Sequence, residues 1–131
     1  MHFRTSSILF ILVLTVVLMS AFMPQGPKQP GNLKILPKDI SHEELDKIMD
    51  GYCAALGVKC KFCHAADAAD PKKIDFASDA RHEKIIARSM MQMTVKINKK
   101  YFHIKDADHT GAVLAVSCMT CHHGNAHPEN K

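Results

Sequence analysis

The chain has 131 residues, which is enough for one small domain. Its formal net charge of +4 is too small to indicate a nucleic-acid partner, and a hydrophobic share of 47% excludes a disordered chain. The chain has no Trp, yet it has five Cys, nine His and eight Met. Thiolate, imidazole and thioether groups bind soft or borderline metals, so the composition indicates a metal-containing cofactor that replaces part of an aromatic core.

Residues 1–23 are typical of a targeting or anchoring segment. Arg4 is their single Lys, Arg, Asp or Glu residue, and residues 7–23 carry no charge. At about 1.5 Å per helical residue, residues 7–23 reach the lower limit for crossing a bilayer. A signal peptide and an N-terminal membrane anchor through residues 7–23 both fit. Either one predicts that the rest of the chain lies on the periplasmic side of the cytoplasmic membrane.

The next segment, residues 24–32, is a Pro/Gly linker with the sequence PQGPKQPGN, which is unsuited to a helix. The folded domain is therefore predicted to cover residues 33–131. A domain of this size has a small core unless a cross-link or a cofactor adds to it.

The first predicted helix covers residues 42–56. Ser41 and Glu44 have the spacing of a capping box, and Gly57 is typical of a helix end. The apolar residues of the helix are spaced three and four apart, as one helical face requires. They are Leu45, Ile48, Met49, Tyr52, Cys53 and Leu56.

A polar loop at residues 65–79 precedes the second predicted helix, residues 81–99. Met91 is turned by about 100° from Met90 on this helix. The apolar residues on one face are Ile85, Ile86, Met90, Met93 and Ile97. Because no strand pattern competes with these helices, the sequence predicts an all-α fold.

A Cys-x-x-Cys-His motif follows each predicted helix. This is the attachment sequence of haem c, in which two thiols form thioethers with the porphyrin and the His is the proximal iron ligand. A zinc site made of both cysteine pairs is the alternative, but 54 residues separate the pairs, against about 15–20 in structural zinc sites. Disulfides or a thioredoxin-like site fit less well, since no strand precedes either motif. The sequence therefore predicts two haems c, on Cys60, Cys63 and His64 and on Cys118, Cys121 and His122.

Whether the protein supplies a sixth ligand to each iron decides between electron transfer and enzymatic or sensing chemistry. Met49 lies 11 residues before Cys60 and is the best candidate for the first iron. For the second iron, periodicity leaves Met90 and Met93 equal, with the other one packed against the porphyrin. Cys53 is interpreted as a small buried residue beside the first haem. Three loop histidines, usually exposed to solvent, are further alternatives for the sixth position: His103, His109 and His127.

Three stretches of the chain resemble the photosynthetic reaction centre cytochrome c subunit family. They are residues 56–64 (LGVKCKFCH), residues 87–94 (ARSMMQMT) with Ile97 and Asn98, and residues 116–124 (VSCMTCHHG). The resemblance covers about residues 33–128. It implies a Met-bearing helix against each haem, and it implies that Met90 rather than Met93 is the distal ligand. The family's subunit carries four haems in a longer chain, so this chain corresponds to a dihaem half.

These observations predict a small multihaem cytochrome c built from a duplicated unit of Met-bearing helix, turn and attachment helix. We expect an electron carrier, not an enzyme, that acts in a periplasmic or membrane-associated electron transport chain. Its partners would be redox proteins or membrane electron-transport complexes. The alternative is a small dihaem peroxidase or a haem-based gas sensor with one open iron site.

Overall fold

The computed structural model describes residues 31–128. Residues 1–23 and most of the linker lie outside this part, and none of the helices within it is long and apolar enough to cross a membrane. The described elements are α1 (His42–Leu56), α2 (Cys60–Cys63), β1 (Ala65–Ala66), β2 (Ile74–Asp75), α3 (His82–Tyr101) and α4 (Cys118–His122).

Helix α1 begins and ends where its capping residues predict. The Ser41 hydroxyl accepts a hydrogen bond from the backbone N–H of Glu44, at 3.1 Å. Gly57 ends the helix with a φ of 66°, in the left-handed region. A β-carbon at Gly57 would collide with the carbonyl oxygen of Gly124. Glycine is therefore required by the backbone conformation and by this close approach of two chain segments.

The hydrophobic core lies between α1, α3 and the segment that precedes α1. Met91 is its contribution from α3, and Met49 and Tyr52 of α1 pack against it. The buried residues of the core are Leu36, Ile40, Leu45 and Met91. Such a small core agrees with the low aromatic content of the chain.

The face of helix α3 that packs against the rest of the protein carries both polar and apolar residues. Its buried residues are Lys84, Met91, Thr94 and Asn98. The apolar stripe singled out by periodicity is largely exposed, since Met90 is 42% and Met93 48% exposed. Lys84 and Asn98 are buried because their polar atoms find hydrogen-bond partners, which hydrophobic periodicity does not register.

The segment predicted as a loop at residues 65–79 contains a short antiparallel sheet. Ala65 pairs with Asp75, and Ala66 pairs with Ile74. The expectation of an all-α fold is corrected to this extent, although the described chain is mostly helical. Two-residue strands are too short to produce an alternating pattern in the sequence.

Each attachment helix packs against the long helix of the other half of the chain. Helix α2 contacts α3, and helix α4 contacts α1. The two connections differ, because only residues 57–59 join α1 to α2 while residues 102–117 join α3 to α4. The order of elements repeats, but the predicted duplication remains an expectation.

Candidate haem-attachment sites

The first Cys-x-x-Cys-His motif forms a single helical turn, α2, with His64 directly after it. Cys60 is exposed and Cys63 is half-buried, and both thiols are free. Residues three apart in a helix lie on the same side, so both thiols face one direction. The backbone N–H of His64 donates to the carbonyl of Cys60 at 2.9 Å, which holds the imidazole close to the two thiols.

The imidazole of His64 is half-buried against Phe76, with the ring centroids 5.1 Å apart. Burial lowers the pKa of His64, and the nearby Lys84 ammonium lowers it further. The neutral imidazole, which is the form that binds iron, is therefore favoured at this position. Among the residues that the structure describes, the buried Nδ1 of His64 has no hydrogen-bond partner. The backbone carbonyl of Phe76 lies beside it and accepts a hydrogen bond from Lys84 at 2.8 Å.

The fifth cysteine lies beside the first motif. Burial raises the pKa of the Cys53 thiol, and a contact with Cys60 raises it further. Cys53 is one turn after Met49 on α1, so this side of the helix is directed towards the first motif. The structure thus places Cys53 next to the first motif, where it is half-buried and not fully buried.

In the second motif, α4 begins at Cys118 and ends at His122. Nδ1 of His122 is 2.9 Å from the carbonyl oxygen of Asn125. A carbonyl oxygen only accepts hydrogen bonds, so this contact places the proton on Nδ1 and leaves the lone pair of Nε2 free. Histidines that bind metals are commonly oriented by such a bond from the other ring nitrogen. His122 is thus held in the tautomer that an iron ligand needs.

A cavity of about 260 Å³ opens beside the second motif. Tyr52 is one of its lining residues. The buried hydroxyl of Tyr52 has no hydrogen-bond partner within residues 31–128, and burial raises its pKa, so that it remains protonated. The lining includes Ile48, Tyr52 and Ala55 of α1, Thr94 of α3, His109 and Cys118. A mostly apolar cavity that touches a cysteine of the second motif fits part of a porphyrin.

The side chain of Asn98 positions the segment before the second motif, a role that the sequence analysis missed. It is fully buried. Its oxygen accepts hydrogen bonds from the backbone N–H groups of Ala115 and Val116, at 2.8 and 3.1 Å. Its amide donates to the carbonyls of Val116 and Thr94, at 2.7 and 2.9 Å. Asn is disfavoured inside helices. Its presence in the middle of a predicted helix was the signal in the sequence that Asn98 has a specific hydrogen-bond partner.

The methionines predicted as distal ligands lie in different surroundings. Met49 is half-buried at the edge of the core. Met90 and Met93 lie on the exposed apolar stripe of α3, and neither lines the cavity beside the second motif. His109 does line this cavity, and its Nε2 donates to the carbonyl of Met91 at 3.0 Å. The structure therefore keeps the cysteines and the histidine of each motif on one short helical segment, but it does not bring Met90 to the second cavity.

A zinc site requires several clustered ligands. Between residues 31 and 128, no group of three or more His, Cys, Asp or Glu side chains is arranged to hold a metal ion. Burial raises the pKa of the Cys63 and Cys118 thiols. In the described part of the chain, the two cysteine pairs are therefore not clustered as a four-cysteine zinc centre requires.

Comparison with known proteins agrees with this chemistry. Photosynthetic reaction center cytochrome c subunits from two bacteria are similar to the chain. The protein from Rubrivivax gelatinosus is 33% identical over 70 residues, which are 53% of this chain and 15% of the relative. The protein from Roseobacter denitrificans is 25% identical over 114 residues, which are 82% of this chain and 29% of the relative. The chain therefore spans less than a third of the length of these relatives.

None of the solved structures compared with the chain matches it significantly. The profile of the family described as photosynthetic reaction centre cytochrome C subunit matches residues 24–131, which include both attachment motifs. The resemblance seen in the sequence is confirmed, and the chain belongs to the photosynthetic reaction centre cytochrome c subunit family.

Proposed function

We propose that the protein is a dihaem c-type cytochrome that transfers single electrons. Membership of a cytochrome c family supports haem c as the cofactor. The observation that carries the proposal is the construction of both motifs as short helices, with His122 held so that Nε2 is free for iron. A bound haem c supplies an iron that alternates between the ferrous and ferric states.

The residues that would hold the cofactors follow from the two motifs. His64 and His122 would be the proximal iron ligands, and the helices α2 and α4 would orient the thiols. The thioether bonds would form on Cys60 and Cys63 for the first haem and on Cys118 and Cys121 for the second. Tyr52 and its apolar neighbours would keep water away from the second site.

We infer Met49 and Met90 as the distal ligands, with Met93 as the alternative to Met90. Met49 is supported by its position one turn before Cys53, which contacts the first motif. Met90 is supported by the apolar stripe on which it lies, since a porphyrin would cover such a surface. Methionine ligation would raise the reduction potentials relative to two histidine ligands.

We propose that the protein acts on the periplasmic side of the cytoplasmic membrane, with redox proteins or membrane electron-transport complexes as partners. The uncharged segment at residues 7–23 supports export or anchoring. The relatives are named as subunits of a photosynthetic reaction center, which supports a membrane complex as a partner.

Spectroscopy of the purified holoprotein tests the proposal. We expect two low-spin haems, each reduced reversibly by one electron, with no spectral change on addition of carbon monoxide or peroxide. A high-spin haem that binds carbon monoxide, or that consumes peroxide, would contradict the proposal in favour of a peroxidase or gas sensor. The family comparison gives that alternative no support.

A further inference from the structure

We propose that Lys84 and Arg88 hold the first haem site at a higher reduction potential than the second. An electron shared between the two sites would then reside mainly at the site of His64. This inference rests on the proposed dihaem function, and it adds a direction to internal electron transfer.

The ammonium of Lys84 lies close to the first proximal ligand. Lys84 is only 8% exposed, and its Nζ donates to the carbonyls of Phe76 and Ser78, at 2.8 and 2.7 Å. The ring of Phe76 packs against the imidazole of His64. A single residue thus separates a nearly buried positive charge from the histidine that would bind iron.

Arg88 lies one turn further along the same face of α3. Its guanidinium donates to the Asp79 carboxylate at 2.7 Å and to the backbone carbonyl of Asn32 at 2.9 Å. The side chain is only 14% exposed. Water and salt therefore screen the charges of Lys84 and Arg88 less than those of the exposed lysines.

The acidic residues near this site do not cancel these charges. Asp79 is shared among three cations, with Nζ of Lys34 at 2.6 Å, Arg88 at 2.7 Å and Nζ of Lys84 at 3.3 Å. The other charged groups that act on His64 or Cys63 are Asp75, Glu83 and Arg81. Of the charged groups that act on His64 or Cys63, three are cations (Lys84, Arg88 and Arg81) and two are anions (Asp75 and Glu83). The two most buried cations, Lys84 and Arg88, are the ones that act on His64. The amino-terminal end of α3 adds positive partial charge on the same side.

The cavity beside the second motif carries charge of the opposite sign. Among the described residues that line the cavity beside Cys118, Asp108 carries a charge and no Lys or Arg is present. The N–H of Thr110 donates to the Asp108 carboxylate at 2.8 Å and lowers its pKa, so this carboxylate is ionised at neutral pH. The described lining of this cavity therefore carries one negative charge, that of the exposed Asp108.

The charges around the two sites affect the reduction of a haem in opposite ways. Nearby cations stabilise the state that carries the additional electron, and a nearby anion destabilises it. When the two sites share one electron, reduction of the first site accompanies oxidation of the second, so the redistribution needs no external reactant. The equilibrium favours the reduced form at the site of His64.

Spectroelectrochemical titration of the holoprotein tests the inference. We expect two midpoint potentials in the unmodified protein. Lys84→Met removes the charge but keeps a side chain of similar length, and it should lower only the higher midpoint. The equilibrium ratio for electron sharing should fall about three- to tenfold, as expected for loss of one partly buried charge. Lys72→Met, at an exposed lysine of the loop, is the matched control and should shift neither midpoint.

Asp79→Asn is a second variant, which removes a negative charge and should raise the higher midpoint. It decides the question if Lys84→Met does not fold. The inference is overturned if the charge variants leave both midpoints in place, move them equally or move only the lower one. Detection of fewer than two one-electron couples would overturn the dihaem function itself, and this inference with it.

Discussion

The two histidines proposed as proximal ligands are held in different ways. His122 is oriented by a backbone carbonyl, that of Asn125, whereas His64 is oriented by packing against Phe76. A hydrogen bond fixes the tautomer as well as the ring plane, while packing fixes only the plane. The chemistry of both sites follows from short-range features, because each motif places its ligands within one helical turn and the residue that follows.

The first residue-scale prediction concerns Met49. In the ferric holoprotein, Met49→Ala should remove about half of the weak near-infrared charge-transfer band that a methionine–iron bond produces, since one of two such bonds is lost. The midpoint potential of one haem should fall as well. Met119→Ala is the control, because Met119 is 45% exposed in α4 and is not proposed as a ligand. An unchanged band in Met49→Ala would exclude Met49 as the distal ligand.

The sequence singles out residues whose spacing covalent attachment of haem would dictate, and their roles stay a prediction. The four cysteines and two histidines of the motifs are of this kind. Lys84 and Asn98 were not predictable in their roles, because their partners lie 6–8 and 17–18 residues away along the chain. Hydrophobic periodicity assigns such polar residues to the solvent, and only the folded structure shows their hydrogen bonds.

At the scale of elements, the helix boundaries were predicted well. Helix α1 has the expected limits because its capping residues are local signals. The packing of α2 against α3 and of α4 against α1 was not predictable, since it depends on contacts between distant segments. The close approach of Gly57 and Gly124 is part of the contact between α4 and α1.

Asn98 joins α3 to the segment before α4, and its removal should weaken this connection. Asn98→Leu would leave two backbone N–H groups and a carbonyl without their partner. Because each unpaired buried group costs about 1–3 kcal/mol, we expect the free energy of unfolding to fall by about 3 kcal/mol in denaturant titrations. Gln92→Leu, at an exposed position of the same helix, should change it by less than about 0.5 kcal/mol. Equal stability of the two variants would show that Asn98 is not a structural connection.

Substitutions of Gly57 test the contact between α1 and the chain after α4. Gly57→Ala should lower the free energy of unfolding by about 2 kcal/mol, because the left-handed conformation and the collision with Gly124 both oppose a β-carbon. Gly57→Asn separates the two effects, since Asn tolerates the left-handed conformation but retains the β-carbon. Thermal unfolding should show both variants to be destabilised. Full stability of Gly57→Asn would mean that the close approach is unimportant.

At the scale of the whole molecule, Asp79 connects the segment before α1 with the loop and α3. A hydrogen bond from Lys34, together with those from Asn32, Arg88 and Lys84, holds the pKa of Asp79 well below its usual range. Its stabilising contribution is therefore complete above the unfolded-state pKa of about 3.9 and is lost as the pH falls below that value.

Asp79→Asn should accordingly unfold at a lower temperature than the unmodified protein at pH 7. The difference should shrink as the pH falls from about 5 to 3, because the unmodified protein loses the contribution of its carboxylate. Thermal unfolding across this pH range measures the effect. A difference that stays constant with pH would contradict the assigned role of the carboxylate. Lys72→Met is the control, and its unfolding temperature should not show a pH-dependent difference from that of the unmodified protein.

The central claim is that the chain carries two covalently bound haems, and the intact mass of the native protein tests it most directly. We predict two haem mass increments that survive denaturation, one on the peptide with Cys60 and Cys63 and one on the peptide with Cys118 and Cys121. Replacing both cysteines of either pair by Ala should remove one increment, whereas Cys53→Ala should retain both. A protein with a single increment or none, or with an increment that depends on Cys53, would contradict the account.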